Sequence, residues 1–159
     1  MFKIGTAKLT NRIVYYLSTI SDPWIDQLPS SKWLVLSIID TKDSATLDKI
    51  AKACLDKNVE YICAVGSECE HAHDWFDETI VERRINNGQP LDTVDDFEDE
   101  PMTTWHNDFS EGFWFALTSA FNGDKQIDTV VCLDTTEKEC RLQLMELLAK
   151  INTGWLPPD

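Results

Sequence analysis

Trp33-Leu-Val-Leu-Ser-Ile-Ile39 and Val59-Glu-Tyr-Ile-Cys-Ala-Val65 are short, nearly continuous apolar runs, the second stopped by Gly66. Such runs suit strands that are covered on both faces, as in parallel sheets. Between them, Asp43 or Ser44 is placed to cap a helix. Its apolar positions Leu47, Ile50, Ala51, Cys54 and Leu55 follow the spacing of one helical face. Strand, helix, strand is therefore the unit from which the fold is read.

The same alternation continues downstream. A helix is predicted from about Glu70 to Ile85, with Ala72, Trp75, Phe76, Ile80 and Ile85 inward. Asn87-Gly88 ends it, with Pro90 just beyond. Met102-Thr-Thr-Trp105 predicts a third strand. Asp108 with Glu111 has the spacing of a capping box, opening a helix with Phe113, Ala116, Leu117, Ala120 and Phe121 on one face and Asn122-Gly123 at its close. Residues 127–133 predict a fourth strand. Thr136 with Glu139 reads as a second capping box, opening a helix through Leu144, Leu147, Leu148 and Ile151. This order predicts an α/β fold: a three-layer, doubly wound, mostly parallel sheet of four to five strands with helices on both faces. Counted from Trp33, the strand order is expected to be 2-1-3-4.

At 159 residues, the chain fits a single domain spanning 1–159. Residues 1–30 are the hardest part to assign. Arg12-Ile-Val-Tyr-Tyr-Leu17 reads as an edge strand, although so short a run also admits a helix. The five cysteines are odd in number and scattered, which predicts reduced thiols and a cytoplasmic location. No leader and no membrane-spanning run is expected.

Charge is the most uneven property of the chain. Segment 66–111 holds 14 acidic and two basic residues, a net of −12, while the remainder holds 14 and 12. Its densest part is the loop at 86–101, with Asp92, Asp95, Asp96, Glu98, Asp99 and Glu100. So acidic a chain is not expected to bind nucleic acid or an anionic membrane, both of which need Lys/Arg clusters. A solvated loop that aids solubility is the plain explanation. Crowded like charge nevertheless disfavours the compact state, and a basic protein partner would give it a use. Phe97 inside the loop and Trp105 beyond it are then the candidate aromatic anchors. A homo-oligomer remains open.

A second constellation gathers at the carboxyl ends of the predicted strands, where open parallel sheets bind ligands. Asp40, His73, Asp74, His106 and Asp134 fall there, and are the alternative catalytic set. His106 would act as a base oriented by Asp134 or Asp40, with Cys69 or Ser67 as nucleophile. Gly66-Ser-Glu-Cys69 is neither a nucleophile elbow nor a phosphate-cradling loop. Cys69-x-His71-x-His73 places three possible metal ligands together but lacks a second ligand pair, so no metal and no cofactor is expected.

In size, charge and α/β make-up the chain resembles bacterial immunity proteins and antitoxins. That resemblance implies a non-enzymatic inhibitor that neutralises a basic toxin, such as a nuclease, by direct binding. The alternative is a small hydrolase or nucleotide-processing enzyme working from the His/Asp set. Gly66-x-x-Cys-Glu-x-x-His-Asp-x-x-Asp-Glu78 and Thr103-Thr-Trp-His106 also resemble stretches of an uncharacterised bacterial α/β family, which draws attention to His73, Asp74 and His106.

Overall fold

A computed structural model describes residues 1–21 and 23–158. Its strands are β1 (Phe2–Thr6), β2 (Ile13–Ser18), β3 (Trp33–Ile38), β4 (Tyr61–Val65), β5 (Met102–His106) and β6 (Thr129–Asp134). Its α-helices are α1 (Ser44–Asp56), α2 (Cys69–Asn86), α3 (Phe109–Thr118) and α4 (Arg141–Ile151). All six strands join one sheet in the order β1-β2-β6-β3-β4-β5, parallel throughout except for the antiparallel β1/β2 pair.

β3 and β4 are buried along their whole length, as their continuous apolar runs require. Successive residues point to opposite faces, and two core clusters result. Leu34, Leu36, Cys63 and Val65 pack with Phe113, Ala116 and Leu117 of α3 and with Leu144, Leu147 and Leu148 of α4. Trp33, Val35, Ile62 and Ala64 pack with Leu47, Ile50 and Cys54 of α1 and with Ala72 and Phe76 of α2. Close approach is built in at Gly66, whose φ is 108° and where a Cβ would collide with the Ile39 carbonyl.

Several expectations are corrected. The sheet has six strands, not four to five, because residues 2–6 add β1 and residues 13–18 form β2. β2 is an interior strand, parallel to β6, and β1 takes the edge. The order 2-1-3-4 fails because β5 continues outward from β4, and the chain then returns past β3 to place β6 beside it. Spatial adjacency of strands is not written in local periodicity.

The second capping box does not form. Thr136 is bound by Asp134, Glu139 has a left-handed φ of 48°, and α4 begins only at Arg141. α3 stops at Thr118, so Phe121 lies beyond it, 59% exposed. Ile85 is also exposed, and Arg84 takes the inward position instead. Trp24 is buried. Asp159 of the tail lies outside the described residues. Among those described, no helix is long and apolar enough to cross a membrane.

Candidate functional site

Segment 66–111 supplies α2, the loop after it, β5 and the start of α3, so its charge lies along the β5 border of the sheet. α2 and β5 meet through a polar seam. The His73 ring, 12% exposed, has Nε2 3.2 Å from Thr103 Oγ1 and 3.5 Å from Asp77 Oδ2, and Nδ1 3.3 Å from Asp74. Thr103 also donates to Asp77. The Trp105 ring packs on His73 with centroids 4.6 Å apart and is 42% exposed. The two sequence stretches 66–78 and 103–106 are thereby brought into contact. Asp77 and Thr103 stand in those two stretches but outside the candidate set His73, Asp74 and His106. The signal for Asp77 is its spacing four residues after His73, which places both on one helical face.

The acidic loop is fastened rather than loose. Arg84 is 3% exposed, and its guanidinium donates to the Pro90 carbonyl at 2.7 Å and to Glu100 at 3.1 Å. The Phe97 ring lies under that guanidinium, 4.7 Å from the centroid. Asp96 accepts from the Thr93 N–H at 2.7 Å and shapes the short 3-10 turn Val94–Phe97. Phe97, Asp96 and Glu100 are thus occupied within the protein. Asp92, Asp95, Glu98 and Asp99 face solvent, as do Glu70, Asp74, Glu78 and Glu82 of α2. Trp105 remains an outward-facing aromatic group at this border, and Phe97 does not.

The alternative catalytic residues are dispersed. His106, Val65, Ile38 and Asp134 form one row across β5, β4, β3 and β6. His106 and Asp134 are therefore three strand spacings apart, about 14 Å. His73 contacts the opposite face of β5 from His106, whose ring packs on Phe115 of α3 at 4.7 Å.

Asp134 is fully buried and saturated. It accepts from the Thr136 N–H and hydroxyl at 2.8 and 2.7 Å, from the Tyr16 hydroxyl at 2.9 Å and from the Cys140 N–H at 3.1 Å. Asp40 is exposed, beside Thr41, Thr135 and Lys138 in the crevice between the ends of β3 and β6. Cys69 is buried, and that burial pushes its thiol pKa up, the opposite of an activated nucleophile. Ser67 faces solvent. On α2, His71 is two residues from both Cys69 and His73 and points to solvent, away from the face that those two share. Among the described residues, no group of three or more metal-ligating side chains is assembled.

Residues 14–151 match the family model described as "Domain of unknown function (DUF7684)". No curated protein and no solved structure matches the chain.

Proposed function

The chain belongs to the DUF7684 family, and from its acidic border we propose that it is a non-enzymatic binding protein for a basic protein partner. The observation that carries this reading is one continuous surface. The four solvent-facing loop acids, Asp74 and Asp77 of α2 and the half-exposed Trp105 lie along the β5 border, and Arg84 holds the loop in place. A fixed field of one sign steers an oppositely charged partner, and an exposed aromatic gives the encounter an apolar anchor. The partner fits the description of a toxin neutralised by direct binding, with the chain as its immunity protein or antitoxin.

The alternative, a small hydrolase or nucleotide-processing enzyme, has the weaker support. His106 and Asp134 stand about 14 Å apart, and Asp134 has no acceptor capacity to spare for a substrate. With α1 and α2 against one core cluster and α3 and α4 against the other, we read the architecture as three-layered and doubly wound. Five free cysteines suit a reducing compartment, and we place the protein in the cytoplasm.

The test is association kinetics with a panel of small basic nucleases, at about 20 and about 500 mM salt. Binding is expected to slow steeply with salt and to suppress nuclease turnover. The variant Asp92→Asn/Asp95→Asn/Glu98→Gln/Asp99→Asn is expected to lose about tenfold or more in on-rate at low salt. An unchanged on-rate in that variant would overturn the steering role.

A further inference from the structure

We propose that the open edge of β5 is the docking strand, and that it takes an extended Lys/Arg-rich segment of the partner as a seventh strand of the sheet. The inference rests on the reading of the acidic border and names the contact that border guides.

Met102 N–H donates to the Glu60 carbonyl, which fixes the phase of the β4/β5 ladder. In a parallel ladder alternate residues bond the same neighbour. Met102, Thr104 and His106 therefore face β4, while Thr103 and Trp105 direct N–H and C=O away from it. β5 ends the sheet, so among the described residues these groups form an unpaired row. Rows of this kind invite another strand.

The two edges of the sheet are treated differently. β1 carries a register irregularity between Lys3 and Gly5, and a lysine within it. Both are devices that discourage strand addition. β5 has continuous register through Met-Thr-Thr-Trp-His, with no bulge and no Lys or Arg in it. Met102 and Trp105 are 48% and 42% exposed.

Charge selects the occupant. A second copy of this chain would bring another −12 segment to the same border and be repelled. An added strand would place alternate side chains on the α2 side of the sheet, near Asp74 and Asp77, whose side chains are 68% and 48% exposed. Basic residues at alternate positions meet that requirement, and backbone bonds to Thr103 and Trp105 supply the rest.

The experiment uses the full chain and a ten-residue peptide alternating lysine and threonine as the probe. Two further versions of the peptide carry N-methyl groups at all lysines or at all threonines. An added strand turns only one set of its amides toward β5, so one methylated peptide is expected to bind about as well as the parent and the other at least about tenfold more weakly. Amide exchange at Thr103 and Trp105 is expected to slow on binding. Thr103→Pro removes an N–H that faces away from β4, so the sheet should tolerate it. It is expected to weaken binding by about tenfold or more, while Thr103→Ala stays within about threefold of wild type.

Equal binding of both methylated peptides, or undiminished binding by a folded Thr103→Pro variant, would overturn edge docking. The acidic surface is tested separately by the loop variant Asp92→Asn/Asp95→Asn/Glu98→Gln/Asp99→Asn. If that variant loses low-salt binding while both methylated peptides bind alike, the partner reading stands and only the edge proposal fails. If it binds as wild type does, the acidic-border reading fails as well.

Discussion

Asp134 illustrates how a residue with the credentials of a catalytic acid is committed to structure. Its two carboxylate oxygens accept from Thr136, Cys140 and Tyr16, and together they fold the chain from the end of β6 toward α4. Removing the carboxylate strands several buried donors at once, and an unsatisfied buried donor costs about 1–3 kcal/mol. Asp134→Ala is therefore expected to destabilise the protein by about 3 kcal/mol or more in urea unfolding. A loss below about 1 kcal/mol would show that the donors find other partners. Trp105 is the opposite case. Half exposed and packed on one side by His73, it contributes modestly to the fold and offers its outer face to a partner.

The main device among the elements is the junction of α2 with the loop that follows it. Arg84 occupies a position where the helical face would ordinarily bury an apolar side chain, and through Pro90, Phe97 and Glu100 it secures a segment of strong self-repulsion. Removing Arg84 strands the Pro90 carbonyl and leaves Glu100, 23% exposed, without its partner. Arg84→Ala is expected to cost about 2–4 kcal/mol and to speed amide exchange selectively across residues 90–100. Uniform exchange across the whole molecule would instead mean that the loop is held by other contacts. Arg12 does comparable work elsewhere. Its buried guanidinium donates to the carbonyls of Ala116 and Ala120, both at 2.6 Å, closing the carboxyl end of α3.

Over the whole molecule, burial sets an alkaline limit. Desolvation pushes the Cys54 and Cys63 thiols up to about 12, and raises Cys132 and Tyr16 further, Tyr16 also through its bond to Asp134. The unfolded chain ionises these groups first and so binds fewer protons than the native state. Stability is then fully present below the usual thiol and phenol ranges and falls as pH rises through them. Thermal midpoints measured between about pH 8 and about pH 11 should decline, and Tyr16→Phe should flatten the upper part of that decline. A midpoint constant across this range would contradict the burial of these groups.

From residue 33 onward, the sequence by itself determined the helices and strands. The apolar runs at 33–39 and 59–65, the helical spacing at 47–55 and the Asp43 and Asp108 caps all depend on neighbours a few residues away, and all are present. It also located the charge, since composition needs no geometry. Only the tertiary structure decided which strands are neighbours, that His106 and His73 lie on opposite faces, and that Phe97 and Glu100 contact Arg84. These depend on contacts between residues far apart in the chain, and local periodicity carries no information about them. The border formed by β5 and the loop belongs to both levels: its acidity was legible in the sequence, and its open strand only in the sheet.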